Sequence, residues 1–162
     1  MTVAVQLVDY RNAEDGADLL YLIELYALDP MGGGGALPTE AKANLISGLQ
    51  AVPHAFSFIA SVDGKAAGLA NCFWGFSTFA AKPLVNIHDL VVAPEFRGQG
   101  VAKALFAEIE ATANAKGACK ITLEVLSANE PAKALYTSLG YSGYALPPAE
   151  GTALFWQKEL AA

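Results

Sequence analysis

Asn86-Ile-His-Asp-Leu-Val-Val-Ala-Pro-Glu-Phe-Arg97-Gly98-Gln99-Gly100-Val101-Ala102 is the stretch on which the rest of the chain turns. The apolar, β-branched run from Val85 to Val92 favours a buried strand. Ala93 to Phe96 carries Pro94 and cannot continue a central ladder. Arg97 to Gly100 then opens a predicted helix, whose apolar residues Ala102, Leu105, Phe106, Ile109 and Ala113 recur at helical spacing. A glycine-rich turn from strand into helix presents unpaired backbone N–H groups at the positive end of the helix dipole. That arrangement suits phosphate. Gly98 and Gly100 carry no side chain to hold an anion off, and Arg97 adds a positive charge.

Two phosphate-loop patterns do not fit. The P-loop requires Gly-Lys-Ser/Thr, and here Gly100 is followed by Val101-Ala102. The dinucleotide fingerprint requires a third glycine where Lys103 stands. The pattern present, Arg97-x-x-Gly100-x-Ala102, resembles the acetyl-CoA signature of the GNAT N-acetyltransferases, Arg/Gln-x-x-Gly-x-Gly/Ala. The preceding Asp-Leu-Val-Val-Ala-Pro-Glu-Phe resembles the strand and loop of that family. So does a second stretch, Asn129-Glu-Pro-Ala-Lys-Ala-Leu-Tyr136-Thr-Ser-Leu-Gly140-Tyr141. Phe76-Ser-Thr-Phe79 and the central run look most like the diamine (spermidine/spermine-type) members. Those carry Glu-Asp on the central strand, where this chain has His88-Asp89.

The resemblance implies an α/β fold: a mixed, mostly antiparallel twisted sheet flanked by helices. It implies a splayed pair of parallel strands, here those ending at Val92 and Leu126, with acetyl-CoA entering the gap. The pyrophosphate would lie on Arg97, Gly98, Gln99, Gly100, Val101 and Ala102. The pantetheine would run along Leu90, Val91 and Val92, with Asn129 assisting. Read by residue type alone, Asn129 could equally be a helix cap and Tyr136 a core residue.

Acetyl transfer from a thioester to an amine sets two requirements. The amine must lose a proton it holds up to ~10.4, and the departing thiolate must be stabilised. His88, with a reference value of ~6.5, suits the first task, unless it is a core histidine. Tyr136 suits the second as a proton donor. Strand alternation places His88, Leu90 and Val92 on one face and Asp89 on the other, in a structural role. The resemblance to the diamine enzymes implies acidic groups on the acceptor side, which points to Glu24, Phe76 and Ser77, near Asp29 and the glycine run Gly32–Gly35. Phe73, Trp74, Phe76 and Phe79 could hold a cation by their ring faces or could be core.

Whole-chain properties narrow the classes. At 162 residues, 54% of them hydrophobic, the chain suffices for one acetyltransferase domain over 1–162. A net charge of −6 argues against nucleic acid as a partner and accords with a cationic amine. No apolar run reaches membrane-spanning length, and the N-terminus lacks signal-peptide features. Cys72 and Cys119 form no disulfide or metal pattern and read as buried thiols in a cytoplasmic protein. The family often forms homodimers. The activity expected is direct acetyl transfer to a primary amine, possible acceptors being a polyamine-like molecule, a protein amine or an aminoglycoside. A binding-only acyl-CoA sensor is the alternative.

Predicted elements run in order. A strand over Thr2–Asp9 precedes a helix from Asn12 or Asp15 to Leu28, stopped by Asp29-Pro30. A helix capped by Thr39 runs to Gln50. Strands over Ala55–Val62 and Ala66–Phe76 form a hairpin through Asp63-Gly64. The central strand and helix follow, then a strand over Lys120–Leu126 and a helix from Pro131 to Gly140. Two closing strands are expected over Tyr141–Ala145 and Ala153–Leu160.

Overall fold

The computed structural model describes residues 2–143 and 154–160. The chain divides into two compact units, Met1–Glu124 and Val125–Ala162. The first holds β1 (Val3–Leu7), α1 (Ala13–Leu28), α2 (Thr39–Ala51), β2 (Ala55–Val62), β3 (Lys65–Ser77), β4 (Lys82–Val92), a 3-10 turn (Pro94–Phe96), α3 (Val101–Ala115) and β5 (Ile121–Leu123). The second holds α4 (Glu130–Ser138). The strands form one sheet in the order β1-β2-β3-β4-β5. All neighbours are antiparallel except β4 and β5, which run parallel.

Local chemistry sets most boundaries. The Asn12 side chain accepts from the N–H groups of Glu14 and Asp15 at 2.8 and 3.1 Å, and so caps α1. Asp63 and Gly64 both adopt positive φ, 49° and 80°, as the tight β2–β3 hairpin requires. In α2 the expected cap is displaced by one residue: Pro38 occupies the cap position and Thr39 is already helical, with no side-chain cap bond.

Helices pack on both faces of the sheet. Leu19, Leu22 and Ile23 of α1 form one buried cluster with Ile59, Leu69, Val91 and Ala93. On the other face, Val101, Leu105, Phe106, Ile109 and Ala113 are the buried residues of α3. The helix starts at Val101, just after Gly100 with its left-handed φ; Leu105, Phe106, Ile109 and Ala113 are buried as expected, and Val101 rather than Ala102 completes the buried face. Gly68 lets α3 lie close. A Cβ there would meet Val101 Cγ1 at 2.7 Å and Leu105 Cδ1 at 3.2 Å.

The sequence pattern missed two features. The ladder between β3 and β4 slips at Asn71/Cys72: Asn71 pairs with Asp89, but Cys72 pairs with Ile87, leaving His88 as an extra residue. This is a β-bulge. Leu69 and its partner Val91 belong to the α1-side cluster, so Asn71 and Asp89, two residues along each strand, share that face. Leu90, paired with Ala70, lies on the opposite face. The expected alignment of His88 with Leu90 and Val92, and the expected opposition of His88 to Asp89, are therefore corrected.

The second feature is the short β5, which ends at Leu123 rather than Leu126, with Val125 and Leu126 exposed. The expected closing strands are also corrected where they can be seen. Tyr141–Gly143 and Leu154–Leu160 have no ladder partner among the described residues. The remainder, 144–153, lies outside the described residues.

Candidate active site

The parallel ladder ends at the pair Ile87 and Leu123, while β4 continues to Val92. The N–H of Ala93 donates to the Ala67 carbonyl on β3 at 2.9 Å. Backbone groups alternate sides along a strand, so those of Leu90 and Val92 aim at the side where β5 has ended. The Val92 carbonyl accepts from Arg97 Nε at 3.2 Å.

Beyond Val92 the chain turns into α3 through Gly98 and Gly100, with φ of 74° and 84°. A Cβ at either glycine would meet nothing, so the space beside them is open. Among the described residues, the backbone N–H groups from Gly98 to Lys103 donate to no carbonyl or side chain. A run of orphan donors at a helix N-terminus, bordered by two glycines, fits a pyrophosphate group.

Arg97 is not simply a free charge beside this loop. Its Nη2 donates to Asp29 Oδ2 at 2.8 Å. Asp29 also accepts from the Met31 N–H at 2.8 Å. That backbone bond and the Arg97 guanidinium hold the Asp29 carboxyl below its ordinary value. The glycine run folds back over the end of α1: Gly32 and Gly34 donate to the Asp29 carbonyl and Gly35 to the Ala27 carbonyl. A Cβ at Gly32 would lie 2.0 Å from the Tyr26 carbonyl oxygen, so only glycine fits there. Sequence reading missed the Asp29–Arg97 pair, since no spacing rule joins residues 68 apart.

The bulge turns His88 and Asp89 toward the α1 side together. The exposed His88 ring meets Phe73 nearly edge-on, at 5.5 Å and 88°, and Phe73 is packed against the α1-side cluster. Asp89 Oδ2 accepts from Asn71 Nδ2 at 3.0 Å. Burial, then the charge of Asp89, raises Tyr26, with a further contribution from Asp29. Burial and the same Asp89 charge push the Cys72 thiol up to about 12. A thiol held that firmly protonated is a poor acyl carrier. Cys119, expected to be buried, is exposed.

The acceptor-side candidates do not gather at the bulge. Glu24 is paired with Lys42 across α1 and α2. Phe76 and Ser77 pair with Pro83 and Lys82 at the far end of the β3–β4 hairpin. Phe76 is five positions beyond Asn71, roughly 17 Å along the strand. Ser77 Oγ accepts from the Ala80 N–H at 3.3 Å and so serves the turn. In the second unit, Asn129 caps α4 by accepting from the Ala132 N–H at 3.2 Å, and the Tyr136 ring lies 6.4 Å from that of Tyr141.

The sequence pattern of the acetyltransferase (GNAT) family matches residues 19–141. The chain belongs to the GNAT family. This GNAT chain is 32% identical over 84 residues to the thialysine N-epsilon-acetyltransferase of Caenorhabditis elegans, covering 52% of each chain. It is 34% identical over 100 residues to the streptothricin acetyltransferase of Streptomyces lavendulae, covering 60% of this chain and 51% of that one. It thus spans about half the length of the curated relatives it matches. Among solved structures it is similar to an aminoglycoside acetyltransferase from an uncultured soil metagenomic sample, in complex with sisomicin. There the TM-score is 0.76 and the identity 18%, over 98% of this chain and 97% of that one. An aminoglycoside N-acetyltransferase in complex with CoA gives a TM-score of 0.75 at 21% identity, over 97% and 95%. Both likenesses bear out the fold, a mixed sheet with a parallel β4–β5 pair flanked by helices. Among the described residues, this GNAT chain has no helix long and apolar enough to cross a membrane.

Proposed function

We propose that this GNAT chain is an acetyl-CoA-dependent N-acetyltransferase that passes acetyl directly to a primary amine of a small, polyamine-like molecule. The observation that carries the reading is the run of orphan N–H groups from Gly98 to Lys103, set beside the open edge of β4. Acetyl-CoA, when bound, supplies the activated thioester. Residues Arg97 to Ala102 receive its pyrophosphate, and Leu90 to Val92 offer backbone groups to its pantetheine, with Asn129 assisting.

His88 takes the proton of the acceptor ammonium on its imidazole, for which its exposure and its place on the bulge give access. Tyr136 carries the hydroxyl proton for the departing sulfur. Cys72, protonated and buried, leaves no acyl-enzyme route at that position. A cationic acceptor accords with the net charge of −6, and the relatives named for thialysine and streptothricin act on small molecules. Glu24 contributes once Lys42 releases it. Phe76 and Ser77 serve an acceptor long enough to reach the hairpin tip.

The test is acetyl-CoA-dependent thiol release against spermidine, putrescine, short lysine peptides and aminoglycosides. We expect turnover with the polyamines. His88→Ala lowers kcat by about 100-fold or more with CoA affinity retained, and Tyr136→Phe lowers kcat as well. An unchanged rate in His88→Ala sinks the base assignment. Tight CoA binding without turnover on any amine would return the reading to a binding-only module.

A further inference from the structure

We propose that Tyr10, Ser57 and Asn71 are positioning residues for the reaction. They form a one-way hydrogen-bond chain that fixes the Asp89 carboxylate, and with it the bulge that presents His88. This inference rests on the acetyl-transfer reading of the site.

The direction of the chain follows from proton counting. Ser57 has one hydroxyl proton, and it goes to Asn71 Oδ1 at 2.7 Å. The 2.8 Å contact between the Tyr10 and Ser57 hydroxyls therefore has Tyr10 as donor. With its carbonyl taken, Asn71 turns its amide nitrogen to Asp89 Oδ2 at 3.0 Å. An amide nitrogen only donates, so that carboxylate oxygen must accept. Turning Asn71 over would set two acceptors against each other at Asp89, so the Asp89 end fixes the direction, while the Ser57 hydroxyl could donate or accept. The second Asp89 oxygen takes no hydrogen bond from the described residues.

Stability alone does not account for this arrangement. Ser57 and Asn71 are 0% and 3% exposed, and they are the buried polar residues among the described ones. A polar pair inside a sheet core gains little over an apolar pair of the same shape. The chain also sits at one place. Ser57 pairs with Asn71, and Asn71 pairs with Asp89, the last pair before the register slips at His88. Three adjacent strands are thus pinned in a line at the bulge, and the free end of the line is next to the proposed base.

The experiment uses the full chain and the amine that wild type turns over fastest. Asn71→Leu, Ser57→Ala and Tyr10→Phe break the chain at successive distances from Asp89. We expect kcat to fall on the order of 100-fold, about tenfold and roughly threefold in that order. We expect CoA affinity, read by calorimetry, to stay within about twofold of wild type. Tyr10→Phe removes one hydroxyl and keeps the ring, so the series survives if Asn71→Leu fails to fold. Wild-type kcat in both Ser57→Ala and Tyr10→Phe overturns the inference. So does CoA affinity that falls in step with kcat, which marks a structural role. A wild type inactive on every amine overturns the acetyl-transfer reading and this one with it. An active wild type with unaffected variants overturns this one alone.

Discussion

Asp29 shows how a residue read one way in sequence acquires a second role in space. Its place before Pro30 marks it as a helix terminator, and the chain does stop α1 there. Its carboxylate also holds Met31 N–H and Arg97, and its folded value is lowered from 3.8. The stability it contributes is therefore full above 3.8 and is lost as pH falls through the lower folded value. Acid unfolding of wild type against Asp29→Asn checks this: the gap between them should be constant at neutral pH and close only in strong acid. Cysteine chemistry gives a second residue-level outcome. At pH 8 a thiol reagent should label Cys119 quickly and Cys72 only on unfolding, because one is exposed and the other buried with its thiol raised to about 12. Native labelling of Cys72 would contradict its described burial.

Elements were legible where chemistry and period agreed. The Asn12 cap, the Asp63-Gly64 hairpin and the alternation of β2 each mark a boundary by a local rule, and each boundary stands within a residue or so. Legibility failed where a tertiary partner decides. The extent of β5 depends on how far β4 stays beside it, and exposed Val125 and Leu126 look in sequence like any paired residues. The phase of α3 was legible, since Leu105, Phe106, Ile109 and Ala113 are buried as their spacing predicts, and only Val101 at its start was missed. Gly68 belongs to this scale, because its role is to let two elements approach. Gly68→Ala drives a methyl into Val101 and Leu105, an overpacking worth about 1–3 kcal/mol. Thermal unfolding should show Tm lower by roughly 2–4 °C for each kcal/mol lost.

For the molecule as a whole, the glycine turn into α3, proposed for the pyrophosphate, was readable because its residues are consecutive in sequence. The surroundings of His88 were not, since Phe73, Asn71, Ser57 and Tyr10 reach the bulge from three other segments. Ligand linkage tests the loop globally. At a CoA concentration of about 100 Kd the chain should gain roughly 2.7 kcal/mol of stability, or about 5–10 °C in Tm. Arg97→Ala should shrink that shift at the same concentration. An identical shift in the variant would remove Arg97 from the cofactor site.

The slip in β4 has one more consequence. Val85, Ile87, Val91 and Ala93 keep an unbroken odd-numbered rhythm, yet Val91 and Ala93 meet α1 while Ile87, paired with Cys72, faces the other layer. Position 88 is the spacer that makes both true. Replacing His88 leaves the spacing intact, so the proposed loss of rate in His88→Ala tests the side chain alone. Deleting the residue would set Ile87 and Asp89 side by side opposite Cys72 and Asn71, straightening the ladder while every remaining side chain keeps its face. The ladder would close without this residue; what the extra count adds is a bend that turns two consecutive side chains, those of His88 and Asp89, to one face.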